Sequence, residues 1–125
     1  MSGIKKQKKI LVVEDEKALA RALGLKLESA GFEVKSAFNG QEAVEILKKE
    51  KFDAMVLDLV MPQMDGFVVL RKLKDDGIKL PIIAASNLAQ KEDIERAKAL
   101  GVEHYYIKSN TSLTQIIDNI KKIIQ

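Results

Sequence analysis

The sequence predicts an α/β protein built on a parallel sheet, and three observations carry that prediction. Short apolar segments, typical of strands, alternate with longer segments in which apolar residues recur every three or four positions, as on one face of a helix. Most of the short segments are apolar throughout, which indicates strands buried on both faces of a sheet. All connections are short. Five strands alternating with five helices therefore predict one sheet with helices on both faces, joined by right-handed crossovers.

Five segments have the composition of strands. Four are apolar runs bounded by charged residues, glycine or proline, and the second alternates in polarity with Val34 facing inward. In chain order the predicted strands are Ile10–Val13, Glu33–Ala37, Ala54–Leu57, Pro81–Ala85 and Tyr105–Ile107.

The segments between these strands have helical periodicity. The first helix begins at Lys17 and is ended by Gly31, and the fourth is ended by Gly101, as is common after a helix. Asp65 is the predicted N-cap of the third helix. The apolar positions of the five helices are, in order, Leu19, Ala22, Leu23 and Leu27; Ala43, Val44 and Leu47; Phe67, Leu70 and Leu73; Ile94, Ala97 and Leu100; and Leu113, Ile116, Ile117, Ile120 and Ile124.

Length and composition place the chain among single intracellular domains. A chain of 125 residues buries enough surface to form a full core without cross-links. There is no cysteine, which excludes a disulfide framework and a thiolate metal site. No apolar run approaches the roughly 20 residues that a membrane helix needs, and none has the form of a signal peptide. We therefore expect a cytoplasmic protein without a membrane partner.

The net charge of +3 is concentrated near the N-terminus, in Lys5, Lys6, Lys8 and Lys9. We interpret residues 1–8 as a solvated basic tail and residues 9–125 as the domain. No recognised DNA-reading motif accompanies the lysines, so we expect no direct contact with nucleic acid.

Polar residues that could carry chemistry follow four of the predicted strands. Glu14 and Asp15 follow the first strand and Asp58 the third, while Ser86 and Lys108 follow the fourth and fifth. Ligands of open α/β sheets bind at the carboxyl ends of the strands. Carboxylates brought together there repel, and each raises the proton affinity of the others. A Mg²⁺ ion, which prefers oxygen ligands, relieves that repulsion, and Lys108 can offset a further charge.

In this combination the chain resembles the receiver domain of two-component response regulators, the family of the chemotaxis protein CheY. The resemblance runs from about Lys9 to Gln125. It rests on Glu14-Asp15 after an apolar strand, Asp58 with Met61-Pro62 and Asp65-Gly66 behind it, Ser86 after the fourth strand and Lys108 after the fifth. It implies the CheY-like, flavodoxin-like fold: a doubly wound five-stranded parallel sheet in the order 2-1-3-4-5 with five helices.

The resemblance also implies a function in a two-component phosphorelay. Asp58 would accept a phosphoryl group from a sensor histidine kinase or a phosphotransfer protein. Glu14, Asp15, Asp58 and the backbone carbonyl of Val60 would hold Mg²⁺, and Lys108 would contact the phosphoryl group. The domain would assist its own phosphorylation and dephosphorylation without being a conventional enzyme.

The same resemblance implies a switch. Ser86 would move to the new phosphoryl oxygens and Tyr105 would turn inward, while Tyr106 points to the other face of the sheet. The fourth helix, fifth strand and fifth helix would then form the altered output surface. That surface could support a phosphorylation-dependent homodimer.

Three residues depart from the family pattern, of which Glu14, in place of the more frequent Asp, is a mild change. Ser109 follows Lys108 where the family usually has a proline with a cis peptide, and a cis bond without proline costs about 3–4 kcal/mol. Either the loop holds that strain or it takes a different path. Asn87 stands where the family usually has a small residue, which predicts a narrower approach to Asp58.

Two other classes of function remain in view. A receiver-shaped interaction module that needs no phosphate would fit Asn87 and Ser109, although it would be expected to lose Asp58 or Lys108. The other class is an α/β enzyme, such as an aspartate-dependent phosphatase or a flavodoxin-like cofactor carrier. The phosphatase would need a second aspartate at Val60, and no glycine-rich phosphate loop is present. His104, the single histidine, is interpreted as a loop residue without a catalytic role. The chain either acts alone or is one domain of a longer protein.

Overall fold

The computed structural model describes residues 7–124, which form five strands and five helices. The strands are β1 Lys9–Val13, β2 Glu33–Ala37, β3 Ala54–Leu57, β4 Ile82–Ser86 and β5 His104–Ile107. The helices are α1 Lys17–Ser29, α2 Gly40–Lys49, α3 Gly66–Asp75, α4 Lys91–Ala99 and α5 Leu113–Ile124. A single-turn 3-10 helix, Lys108–Asn110, follows β5. Of the predicted basic tail, residues 1–6 lie outside the described part.

The five strands form one parallel sheet in the order β2-β1-β3-β4-β5. This confirms the predicted fold class, including the strand order that the family resemblance implied. Since every strand runs in the same direction, all five carboxyl ends lie along one edge of the sheet. The register pairs Val13 with Leu57 and Ser86 with Ile107, so neighbouring strands end almost level at that edge.

Two apolar cores, one on each face of the sheet, explain the unbroken apolar runs. Alternate residues of a strand point to opposite faces. Leu11 and Val13 of β1 accordingly pack with α2, α3 and the buried Ala97 of α4, whereas Ile10 and Val12 pack with α1 and α5. A strand between two cores needs an apolar residue at every position, and β1, β3 and β4 have one at nearly all of theirs.

The helix ends follow the signals in the sequence. The side chain of Asp65 accepts a hydrogen bond from the N–H of Val68, which confirms it as the N-cap of α3. Helices α1 and α4 are followed by Gly31 and Gly101, whose φ angles of 99° and 110° lie in the region that favours glycine. None of the described helices has the length and apolar character needed to cross a bilayer.

The largest differences from the predicted elements lie at strand ends. β1 begins one residue earlier, at Lys9, and β4 is shifted by one residue to Ile82–Ser86. The prediction that His104 is a loop residue was wrong, because it begins β5 and pairs with Ile83. Backbone pairing sets these ends, and β5 is an edge strand that tolerates an exposed polar residue.

Tyr105 and Tyr106 point to opposite faces, as predicted. Tyr105 packs against the core under α2, α3 and α4, and Tyr106 against the core under α1 and α5. The isoleucines of α5 form mainly a core face, which was also predicted: Ile116, Ile117 and Ile120 are buried.

Candidate functional site

Three predicted carboxylates meet at the carboxyl edge of the sheet. Glu14 directly follows β1 and Asp58 directly follows β3, and these strands are neighbours. The N–H of Asp58 donates to the carbonyl of Val13 at 3.0 Å, which continues the ladder and sets the two acids side by side. Carboxylate oxygens of Glu14, Asp15 and Asp58 all lie within 4.8 Å of one another. Glu14 and Asp58 are buried and Asp15 is exposed.

Lys108 provides the positive charge for the two buried acids. Its Nζ lies 2.5 Å from Oε1 of Glu14 and 3.1 Å from Oδ2 of Asp58. Buried carboxylates are costly unless they are paired and hydrogen-bonded. Lys108 therefore links the end of the edge strand β5 to the ends of the central strands β1 and β3.

The pairing shifts the proton affinities of both partners. Burial alone would lower the pKa of Lys108, but its hydrogen bond to Glu14 and the charge of Asp58 outweigh burial and raise that pKa above its ordinary value. Burial raises the pKa of Glu14, against the opposing hydrogen bonds from Lys108 and the N–H of Glu16. The ammonium group of Lys108 is therefore retained between the carboxylates at neutral pH.

The loop after β3 holds the other oxygen of Asp58. Its Oδ1 accepts a hydrogen bond from the N–H of Val60 at 3.0 Å, so the carboxylate is fixed by Val60 on one side and Lys108 on the other. The Val60 side chain is 55% exposed, which leaves this loop open to solvent.

Ser86 and Tyr105 are joined through the loop after β4. Ser86 is fully buried, and its Oγ accepts a hydrogen bond from the N–H of Leu88 at 3.2 Å. The Tyr105 hydroxyl donates to the carbonyl of Leu88 at 2.6 Å. Leu88 as this link was not among the residues predicted from the sequence. The available signal was its place two residues after a serine, where serine side chains often bond the backbone.

The loop after β5 contains Ser109, and its backbone path differs from the cis-proline path of the family. Residues 7–124 contain no cis peptide, so the chain takes the different path, through the 3-10 helix Lys108–Asn110. The N–H of Ser109, which a proline would lack, donates to Oδ1 of Asn87 at 3.0 Å. Lys108 reaches Glu14 and Asp58 on this path.

A pocket of about 390 Å³ opens beside these residues. Glu14, Asp58, Asn87 and Lys108 contribute its polar wall, and side chains of α1 and α5 such as Leu23 and Ile116 contribute its apolar wall. The Asp58 carboxylate therefore lies at the wall of an open pocket.

The donor set at this edge fits a hard divalent cation. Glu14, Asp15 and Asp58 supply only carboxylate oxygens, which suit Mg²⁺, and the exposed Asp15 leaves room for retained water. The described residues offer no cysteine or histidine in this cluster, which disfavours softer metals.

A parallel sheet in 2-1-3-4-5 order with an acid pair, an aspartate and a lysine at its carboxyl edge defines a CheY-like receiver fold. The family model described as "Response regulator receiver domain" matches residues 10–121. The chain belongs to this family, whose members are signalling modules of two-component systems.

Solved structures agree in fold. The receiver domain of the Francisella response regulator 1452 has a TM-score of 0.87 and 31% identity, over 94% of this chain and 97% of that one. A CheY-like receiver domain protein from Methanospirillum hungatei JF-1 has a TM-score of 0.89, over 95% of this chain and 94% of that one. At 24% identity the second shows the fold alone.

Curated relatives are longer proteins. The probable transcriptional regulator ycf27 of Porphyridium aerugineum is 37% identical over 102 residues, 82% of this chain and 42% of that protein. The cell cycle response regulator CtrA of Brucella ovis is 35% identical over 100 residues, 80% of this chain and 43% of that protein. The chain thus spans less than half the length of these relatives.

Proposed function

We propose that Asp58 is the phosphoacceptor of a two-component phosphorelay, and that residues 9–125 form the receiver domain behind a basic tail of residues 1–8. The observation that carries the proposal is the hydrogen bonding of one lysine, Lys108, to both Glu14 and Asp58 where three strands end. The donor would be a phosphohistidine of a sensor histidine kinase or a phosphotransfer protein. In this proposal the domain meets its donor in the cytoplasm and acts without direct contact with nucleic acid.

In the proposed reaction an oxygen of Asp58 attacks the phosphorus atom of the phosphohistidine. The new O–P bond forms an acyl phosphate, the N–P bond breaks, and the electron pair stays on the imidazole nitrogen, which takes up a proton. Phosphoryl transfer needs mainly positioning and stabilisation of charge on the transferring oxygens. Val60 and Lys108 position Asp58, and the ammonium group of Lys108 lies where that charge develops.

Glu14, Asp15, Asp58 and the Val60 carbonyl would hold Mg²⁺ in this proposal. When bound, the ion supplies positive charge to the transferring phosphoryl oxygens. The cluster of three carboxylates supports this assignment. The same cluster would repel an incoming phosphoryl group in the absence of cations, and Lys108 alone balances only part of that charge.

The proposed switch starts at Ser86. A phosphoryl group on Asp58 adds strong acceptor oxygens, and the Ser86 hydroxyl can donate to one of them. Leu88, bonded to Ser86 through its N–H and to Tyr105 through its carbonyl, connects that movement to β5. The populations of two conformations of the α4, β5 and α5 surface would shift, and a homodimer could form through it.

Intact mass after incubation with Mg²⁺ and acetyl phosphate tests the proposal. We expect one phosphate adduct on the wild type, none on Asp58→Asn, and none when Mg²⁺ is chelated. Asp118→Asn, on the exposed face of α5, is the matched control and should carry the adduct.

The experiment is completed with a phosphorylated kinase or phosphotransfer protein as donor and with beryllofluoride as a phosphoryl mimic. No adduct from either donor, together with no binding of beryllofluoride, would reject Asp58 as acceptor. That result would favour a receiver-shaped module that binds its partner without phosphate.

A further inference from the structure

One hydrogen bond joins the loop after β4 to the loop after β5. The N–H of Ser109 donates to Oδ1 of Asn87 at 3.0 Å. Asn87 directly follows Ser86, the last residue of β4, and Ser109 directly follows Lys108. The bond therefore connects the side chain of the residue after Ser86 to the backbone of the residue after Lys108.

This bond lies just beyond the last pair of the ladder between β4 and β5. The last register pair of these strands is Ser86 with Ile107. Beyond it the chain enters the 3-10 helix Lys108–Asn110, and the N–H of Ser109 leaves the sheet. The Asn87 side chain supplies the acceptor that a longer β4 would have supplied from its backbone. A loop N–H with a fixed acceptor fixes the direction of its own peptide unit.

The position of the Lys108 side chain depends on the direction of this peptide unit, because the side chain must extend across the strand ends to the carboxylates. Its Nζ bonds both Glu14 and Asp58, while its own backbone leaves β5, an edge strand with no fully buried residue. Ordering a long lysine side chain costs rotamer entropy. A free backbone on either side of Lys108 would add to that cost.

We infer that Asn87 is a positioning residue, which holds Lys108 on the Glu14–Asp58 carboxylate pair by accepting the hydrogen bond from the Ser109 N–H. Two requirements follow: an acceptor oxygen at position 87 and an N–H at position 109. Asn87 and Ser109 are therefore both needed to form this hydrogen bond. The catalytic consequence of this role rests on the proposed function, whereas the structural consequence does not.

The structural consequence is tested by NMR on the metal-free protein. The probes are hydrogen exchange at the Ser109 amide and the side-chain ¹⁵N signal of the Lys108 ammonium group. We expect Asn87→Ala to speed Ser109 exchange by about three- to tenfold, as loss of one exposed hydrogen bond would, and to weaken the Lys108 signal. Asn87→Asp keeps an acceptor oxygen and should retain both. Asn110→Ala makes the same kind of truncation in the turn that contains Ser109 and should change neither.

The catalytic consequence is tested with the phosphorylation rate from acetyl phosphate in Mg²⁺. Asn87→Ala should be about three- to tenfold slower than Asn110→Ala, and its loss of thermal stability should be no larger than one exposed hydrogen bond accounts for. An unchanged Lys108 signal in Asn87→Ala, an equal loss in Asn110→Ala, or a wild type without an ordered Lys108 signal would each overturn the inference. A wild type that takes no phosphoryl group would refute the proposed function, and the NMR comparison would still decide the role of Asn87.

Discussion

The centre of the sheet and its α4–β5 edge differ sharply in packing. In β1 and β3 nearly every residue is buried between two cores, and these strands end at Glu14 and Asp58. In β5 every residue is half-buried or exposed, and α4 has one buried residue, Ala97. Regions with few buried apolar contacts open at the lowest free-energy cost. The domain thus sets its carboxylates after the well-packed strands, while its proposed output surface includes α4 and β5, which have few buried residues.

The first prediction compares the two regions by truncation. Leu57→Ala in β3 should lower the free energy of unfolding by about 2–5 kcal/mol, because it leaves a cavity in a fully buried layer. Ile94→Ala in α4 should cost only about 1 kcal/mol, because this side chain is half-buried. Urea denaturation measures both. Equal losses would contradict the difference in packing.

Lys108→Ala removes the hydrogen bonds by which the residue after β5 contacts Glu14 and Asp58 at the centre of the sheet. We expect phosphorylation from acetyl phosphate to slow by about 10²–10³-fold, the usual loss when one donor to a developing charge is removed. Lys48→Ala, an exposed lysine of α2, is the control and should phosphorylate at the wild-type rate. A Lys108→Ala rate within threefold of wild type would show that Lys108 does not stabilise the transferring group.

Tyr105→Phe changes the α4–β5 edge and leaves the side chains of β1 and β3 as they are. It removes the hydrogen bond to the Leu88 carbonyl and should lower the free energy of unfolding by about 0.5–1.5 kcal/mol. It should also speed hydrogen exchange in residues 87–90. Tyr106→Phe removes a hydroxyl on the opposite face and serves as the control. The same effect in both variants would remove any special role for the Tyr105 hydroxyl.

The smallest expected effect concerns ion pairs beside the central strands. Hydrogen bonds from Lys35 and Lys9 lower the pKa of Glu50 to about 2. In the unfolded chain Glu50 binds its proton near its ordinary value of 4.5, so the unfolded state binds more protons between these values. This contribution to stability is present above about pH 4.5 and is lost as the pH falls towards 2.

Thermal melting across that range should show a shallower dependence on pH for Glu50→Gln than for the wild type. Glu28→Gln, an exposed glutamate of α1, should keep the wild-type slope. Identical slopes for Glu50→Gln and wild type would show that the ion pairs do not persist in solution.

The sequence predicted the centre better than the edge, for a physical reason. A strand that is buried on both faces needs a continuous apolar run, so β1 and β3 could be predicted from the sequence. Ligands of open α/β sheets bind at the carboxyl ends of the strands, which then identified Glu14 and Asp58 as site residues. At the edge, β5 is partly exposed, which is why His104 was assigned to a loop.

The Leu88 link had only a weak signal in the sequence, its place two residues after Ser86, and the link between Asn87 and Ser109 had none. Each is a single loop hydrogen bond whose existence depends on the path of the backbone, here a 3-10 turn without a cis peptide. The composition and periodicity of the sequence do not predict that path.

The most direct test of the account is amide hydrogen exchange of the Mg²⁺-bound protein with and without beryllofluoride. We predict altered exchange in residues 86–90, α4 and β5, and unchanged exchange in β1 and β3 apart from the residues next to Asp58. Exchange that changes equally across the sheet, or nowhere although beryllofluoride binds, would contradict the division between a rigid acidic site and a responsive edge.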